Sequence, residues 1–163
     1  MFLRNHYQNA YITHDLEAAM TLVSDRWGVK DWIRFEPDMV LATPTGDKEA
    51  SVRVALGWCD DVQIELIQPV KGWTDPYACV LGADRSDPTP VFHHVAVRRD
   101  DEAQMRQEIA DLGLPVVFEG SVPGLVFIYL DARESLGHFF EYVWADAEGW
   151  KGQGWPEGKA VKA

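Results

Sequence analysis

The pattern of hydrophobic and polar positions along the chain predicts the same order of strands and helix twice. Alternation predicts a strand over residues 7–13, and residues 16, 19, 20, 23 and 27 then recur at helical spacing. Strand-like runs follow at 32–36, 39–43, 50–58 and 62–68. The second copy has a strand at 91–98, a helical stripe of Met105, Ile109 and Leu112, and strands at 116–119, 125–131 and 138–144. The chain is therefore interpreted as an internal repeat.

The ends of both helices carry recognisable residues. Thr13 or Asp15 can accept hydrogen bonds from the free N–H groups that begin the first helix, and Asp101 can do the same for the second. Gly28 and Gly113 follow the last apolar positions, and glycine adopts the left-handed conformation that ends a helix without strain. The sequence therefore predicts one capped helix in each copy.

This order of elements predicts an α+β fold of two βαβββ modules, with curved mixed sheets around a shared cleft and helices outside. The first module covers residues 1–70 and the second covers 91–145. Residues 71–90 are rich in proline, glycine and acidic side chains, which indicates a linker or lid. Residues 146–163 form a tryptophan-containing tail, and Trp150 and Trp155 could fold back on the body.

Composition limits the possible partners. The 163 residues carry a net charge of -11, which argues against nucleic acid and against an anionic membrane surface. No apolar run is long enough to span a bilayer, and the N-terminus lacks a signal-peptide core. Cys59 and Cys79 have no metal-binding or redox spacing. We expect a cytoplasmic protein with a small-molecule substrate.

Two glutamates lie within otherwise apolar strands, one near the end of each copy. A buried carboxylate is costly unless another group pairs with it, and Glu65 and Glu141 both have apolar neighbours. Gln8 and His94 stand near the start of the same copies. A polar residue at each end of each repeat suggests a cation held between the halves.

The chain resembles the vicinal oxygen chelate superfamily, which includes glyoxalase I, methylmalonyl-CoA epimerase, bleomycin-resistance proteins and extradiol dioxygenases. The resemblance covers about residues 6–144. It is carried by the segments Ala-Tyr-Ile-Thr-His-Asp-Leu-Glu-Ala-Ala at 10–19, Glu-Leu-Ile-Gln-Pro at 65–69, His-His-Val-Ala-Val at 93–97 and Gly-His-Phe-Phe-Glu-Tyr-Val at 137–143. Together these segments are specific for the fold and not for the reaction.

The resemblance implies metal ligands on the first and last strand of each half. The matching positions are Gln8, Glu65, His94 and Glu141. Many members have histidine where Gln8 stands, and some glyoxalase I enzymes have glutamine. An amide oxygen suits a divalent ion with mixed oxygen and nitrogen ligands, namely Zn, Ni, Co, Mn, Mg or Fe. His6 would replace Gln8 if the strand register differed by two residues.

The function implied is that of a metal-dependent lyase or isomerase with Glu141, or else Glu65, as general base. The substrate would be small or aromatic, because no basic cluster suits a nucleotide phosphate. Two alternatives are an extradiol-type ring-cleaving dioxygenase and a metal-free protein that sequesters an aromatic compound. The resemblance also implies a homodimer.

Overall fold

The computed structural model describes residues 2–162, which form nine strands and five helices. The strands are β1 His6–Ile12, β2 Ile33–Phe35, β3 Asp38–Thr43, β4 Gly46–Cys59, β5 Val62–Gly72, β6 Val91–Arg99, β7 Val116–Val122, β8 Leu125–Ala132 and β9 His138–Ala145. The helices are α1 Leu16–Trp27, α2 Asp75–Ala78, α3 Glu102–Leu112, α4 Arg133–Leu136 and α5 Ala147–Gly152. Every predicted strand and both predicted helices are present.

The nine strands form one mixed sheet that closes on itself. Their order is β2-β4-β3-β7-β8-β9-β6-β1-β5, and β5 also pairs with β4. Strands β2 and β3 pair with successive parts of β4, so together they act as one interrupted strand. Each half is therefore a βαβββ module, and the α+β prediction is confirmed.

The two modules are joined side by side through their first strands. Strand β1 runs antiparallel to β6, and each is flanked on its other side by the last strand of its own module in a parallel pair, β5 or β9. The four strands that carry the predicted ligands are therefore neighbours in the order β5-β1-β6-β9. This arrangement brings residues far apart in sequence onto one surface.

Helices α1 and α3 begin and end where the sequence predicts. The Asp15 carboxylate accepts a hydrogen bond from the Ala18 N–H, and Asp101 accepts from the Gln104 N–H. Gly28 and Gly113 have φ values of 74° and 65° at the helix ends. Each helix buries one apolar face, that of α1 against strands β4 and β5 and that of α3 beside β9. The helices thus cover the outside of the sheet.

The segments outside the modules are more ordered than the sequence suggests. Strand β5 continues to Gly72, beyond the predicted end at residue 68. The segment of residues 71–90 contains α2, and its Tyr77 is only 2% exposed. In the tail, α5 buries Trp150, and Trp155 packs against it. Within residues 2–162, no helix combines the length and apolar character needed to cross a bilayer.

Candidate metal centre and active site

The four adjacent strands β5, β1, β6 and β9 present polar side chains to the inside of the closed sheet. Ala10 on β1 pairs in register with Glu65 on one side and with His94 on the other. Ala96 on β6 pairs with Glu141. Both alanines are completely buried, and their small side chains leave space between the larger polar groups. The alternation of the strands thus places one histidine and two glutamates together.

These three side chains converge on one point. The Nε2 atom of His94 lies 3.2 Å from Oε2 of Glu141 and 3.5 Å from Oε2 of Glu65. One ligand atom from each residue lies within 4.8 Å of the other two. The side chain of His94 is fully buried, and those of Glu65 and Glu141 are 13% and 8% exposed. Such spacing is short enough for one ion to contact all three groups.

Gln8 adds an amide oxygen to this face. Its Nε2 donates a 2.8 Å hydrogen bond to Oε1 of Gln63, while its own Oε1 is buried and has no hydrogen-bond partner among residues 2–162. Oε2 of Glu65 also makes no hydrogen bond, since its 3.5 Å approach to His94 is an ion-pair contact only. Unpartnered buried acceptors are rare in proteins. Two of them beside a histidine and a carboxylate fit a divalent cation.

His6 does not join this group. Its side chain is exposed, and its Nε2 hydrogen-bonds to the Asn9 side chain at 2.9 Å. Of the two alternative ligands on β1, only Gln8 lines the cavity.

The charges at the centre are strongly coupled. Burial lowers the pKa of His94, but the carboxylates of Glu141 and Glu65 outweigh burial and raise it to about 9. Burial raises the pKa of Glu141, and His94 opposes that shift in part. In the metal-free protein at neutral pH, His94 is therefore a cation between two acidic groups. A metal ion would take the position of the Nε2 proton.

A cavity of about 410 Å³ opens above the centre. Its walls are mainly apolar and include Val52, Val54, Ile67, Leu125 and Phe127. The charged side chains that line it are those of Asp38, Glu65 and Glu141. Among the described residues, 2–162, those that line the cavity include no lysine and no arginine. The polar centre therefore lies in an apolar chamber, which is the usual composition of a small-molecule site.

The sequence matches the model of a known protein family. Residues 7–127, which include both modules' first strands and helices, match the family model described as the glyoxalase/bleomycin resistance protein/dioxygenase superfamily. The chain belongs to this superfamily. The predicted resemblance is thereby confirmed, and no curated protein matches the sequence.

Solved structures agree with the superfamily fold. A variant of methylmalonyl-CoA epimerase from Streptomyces coelicolor, in complex with 2-nitronate-propionyl-CoA, is 18% identical with a TM-score of 0.63, and the alignment covers 88% of this chain and 99% of that one. The epimerase from Mycobacterium tuberculosis is 16% identical with a TM-score of 0.59, covering 90% and 91%. A hypothetical protein from Bacillus halodurans C-125 also matches at 16% identity and a TM-score of 0.59, covering 86% and 94%. At these identities the likeness concerns the fold.

The position of His93 departs from simple strand alternation. Alternation along β6 predicts that His93 points away from His94, but their Nδ1 atoms are 2.8 Å apart. The pairing of β6 with β1 shifts by one residue between His94 and Phe92, so the extra residue at His93 breaks the alternation. A second shift at Tyr7 on β1 turns that side chain into the cavity as well.

Tyr129 is a site residue that sequence reasoning missed. Its hydroxyl lies 3.3 Å from Nε2 of His94, and it pairs in register with Glu141 across β8 and β9. Burial raises the pKa of Tyr129 well above its usual value, with a further rise from Glu141, so the phenol keeps its proton. The signal in the sequence was the inward alternation of Phe127 and Tyr129 on β8, which predicts that this tyrosine shares the cavity wall with Glu141.

Proposed function

We propose that this superfamily member is a metal-dependent lyase or isomerase that removes a proton from the carbon beside a carbonyl group. The observation that carries the proposal is the convergence of His94, Glu65 and Glu141 at an apolar cavity that Gln8 also lines, with the Gln8 amide oxygen unpartnered. The substrate is small, uncharged and alkyl or aromatic, with two neighbouring oxygen atoms.

The metal ligands in this proposal are Gln8, Glu65, His94 and Glu141. They supply one nitrogen and three oxygen donors, a set that suits Zn, Ni, Co, Mn, Mg or Fe in the divalent state. When bound, such an ion would act as a Lewis acid that polarises the carbonyl and stabilises negative charge on its oxygen. All four donors come from one chain, two from each module.

Glu141 is the proposed general base. Its burial raises the pKa of its carboxyl group, which brings its basicity closer to the working pH of an enzyme. In this role the carboxylate would leave the metal and take the proton from the substrate carbon, and the electron pair of the C–H bond would move towards the carbonyl oxygen. Return of the proton to the other face or to the neighbouring carbon completes an isomerisation, while departure of a leaving group completes a lyase reaction.

Tyr129 is proposed to orient the reacting oxygen. Its hydroxyl keeps its proton and lies beside His94 and Glu141. It can donate a hydrogen bond to a substrate oxygen at the centre, which favours the charge that develops during proton removal.

The walls of the cavity support an uncharged substrate. Carboxylates and phosphates are recognised in proteins by arginine, lysine or clustered N–H donors. The described lining offers acidic Asp38 and apolar side chains instead, so a substrate with a free carboxylate would meet no cation other than the metal. One epimerase that shares the fold was solved in complex with methylmalonyl-CoA, and this cavity favours a different substrate.

The test combines metal titration with solvent exchange. The protein is loaded with each divalent ion and mixed with alkyl and aryl 2-hydroxyketones in D₂O, and loss of the α-proton signal is followed by NMR. We expect exchange to depend on metal and to fall by roughly 10²–10⁴ in Glu141→Gln. The control is Glu134→Gln, which changes an exposed glutamate and should exchange like the wild type. Equal exchange with and without metal would contradict the proposal.

The same experiment separates the alternatives. A protein that only sequesters an aromatic compound, which the apolar cavity would also allow, would bind the ketones without exchange and without need of metal. A ring-cleaving dioxygenase requires two histidines and one carboxylate for ferrous iron. Here the second histidine, His93, directs one nitrogen to His94 and the other to the Pro76 carbonyl, so it is not free to bind iron.

A further inference from the structure

The linker and the tail each contribute one backbone carbonyl group that reaches the candidate metal centre through a chain of hydrogen bonds. In the linker, the Pro76 carbonyl lies 2.7 Å from Nε2 of His93. In the tail, the Gln153 carbonyl accepts a 2.6 Å hydrogen bond from Nε2 of Gln63. A backbone carbonyl can only accept a hydrogen bond. Each carbonyl therefore determines which group donates and which accepts in every hydrogen bond that follows.

The first chain of hydrogen bonds determines which nitrogen of His94 carries a proton. Because Pro76 accepts, Nε2 of His93 carries a proton. The ring of His93 packs against Tyr77, Tyr129 and Phe139, and within residues 2–162 it forms no ion pair with a carboxylate, so a buried charge on this ring is unfavourable. Its Nδ1 is then an acceptor, and the 2.8 Å contact requires Nδ1 of His94 to be the donor. The proton on Nδ1 leaves Nε2 of His94 as the atom available to a metal.

The second chain of hydrogen bonds determines the orientation of the Gln8 amide. Since Nε2 of Gln63 faces the Gln153 carbonyl, Oε1 of Gln63 faces the other way and accepts from Nε2 of Gln8 at 2.8 Å. Gln8, which lines the cavity, is therefore left with its oxygen unpaired by Gln63, and that buried oxygen has no hydrogen-bond partner in the described part of the chain. The reverse orientation would place an NH₂ group at the centre, and such a group cannot bind a cation.

We propose that His93 and Gln63 are positioning residues that set the metal-binding atoms of His94 and Gln8, and that the linker and the tail act on the centre through them. The proposal rests on the metal binding in the proposed function. Partners that orient ligands in this way typically change metal affinity by about 10–100-fold when they are removed.

The test uses paired variants and two readouts. His93→Phe keeps a planar ring and removes both nitrogens, whereas His93→Asn keeps an acceptor near the position of Nδ1. Gln63→Met keeps the length of the side chain and removes the amide. Affinity for Zn²⁺ is measured by competition with a chromophoric chelator, and cooperative thermal unfolding verifies that each variant is folded. Gln107→Met, at an exposed position of helix α3, is the control.

We expect Zn²⁺ affinity to fall by about 10–100-fold in His93→Phe and in Gln63→Met, and to recover in His93→Asn to within roughly 10-fold of the wild type. Wild-type affinity in folded His93→Phe and Gln63→Met would overturn the proposal. Equal losses in His93→Phe and His93→Asn would overturn the role assigned to the acceptor.

A second readout does not depend on metal loading or on the folding of a variant. The ¹⁵N spectrum of wild-type metal-free protein should show His93 protonated at Nε2 and unprotonated at Nδ1, with His94 protonated at Nδ1. The opposite arrangement at His93 would overturn the proposal. Failure of the wild type to bind any divalent ion would instead contradict the proposed function, and the spectrum would still decide the direction of the first chain.

Discussion

Glu141 and Tyr129 lie opposite each other in register across β9 and β8, so a carboxylate and a phenol share one wall of the cavity. Both are buried, and burial raises the pKa of each. The pair thus offers one group that takes a proton and one group that keeps its proton. This division of roles is what proton removal beside a carbonyl requires.

Loss of the Tyr129 hydroxyl should affect catalysis more than metal binding. In Tyr129→Phe, we expect α-proton exchange to fall by roughly 10–10³-fold, because one hydrogen-bond donor to the developing negative charge is lost. The affinity for Zn²⁺ should change much less than the exchange rate, since the phenol is not among the proposed ligands. Tyr11→Phe, on β1 beside Trp27 and Phe92, is the matched control. Unchanged exchange in Tyr129→Phe would remove its proposed role.

The small side chain of Ala10 should be required for the centre. This residue is fully buried and pairs with both Glu65 and His94. Ala10→Val adds two methyl groups between these ligands, and overpacking of this kind costs about 1–3 kcal/mol of stability. We expect a folded variant that binds Zn²⁺ at least 10-fold more weakly. Chelator competition provides the measurement, and Ala18→Val, on helix α1, is the control for the substitution itself.

The metal-free protein should lose stability as pH rises from 6.5 to 9. The pKa of His94 is raised from 6.5 to about 9, so its favourable contribution is complete below pH 6.5. Above 6.5 the unfolded chain releases its proton first, and the free energy of unfolding falls by at most about 1.4 kcal/mol per pH unit. The contribution is gone once the pH passes about 9.

Urea unfolding across this pH range measures the effect. His94→Gln should flatten the profile between pH 6.5 and 9. A wild-type profile that rises over the same range would contradict the assigned pKa of His94.

The tail should contribute to stability as well as to the centre. Trp150 is 4% exposed, and its ring lies against Tyr7 and Trp155. Trp150→Ala should lower the free energy of unfolding by about 3–5 kcal/mol, because a large buried side chain leaves a cavity behind. Trp27→Ala, at a position 45% exposed, should cost much less. Equal losses measured by urea unfolding would show that the tail packs weakly.

Sequence alone could predict the modules because each strand and helix has a clear period and clear ends. Asp15, Asp101, Gly28 and Gly113 supply local signals that depend on no distant contact. The two glutamates could also be identified from the sequence, since a charged residue among apolar neighbours stands out in any strand. The closeness of Glu65, His94 and Glu141 then follows from the order of strands in a repeated module.

The remaining features depend on pairing between distant strands. The irregularities at Tyr7 and His93 arise where β1 and β6 pair, and one extra residue reverses the alternation on which strand predictions depend. Alternation alone therefore places His93 on the wrong face. The contribution of Pro76 and Gln153 could not be predicted either, because backbone carbonyl groups carry no sequence signal. The homodimer, the cytoplasmic location and the lid role of residues 71–90 stay predictions.

The most direct measurement is metal stoichiometry in the wild type and in the double variant Glu65→Gln/Glu141→Gln. The protein is stripped with chelator, titrated with Zn²⁺, Ni²⁺, Co²⁺ and Mn²⁺, desalted and analysed by elemental mass spectrometry. The account predicts one tightly bound ion per chain in the wild type and none in the double variant, which should remain folded. A wild type that retains no ion, or a double variant that retains a full equivalent, would contradict it.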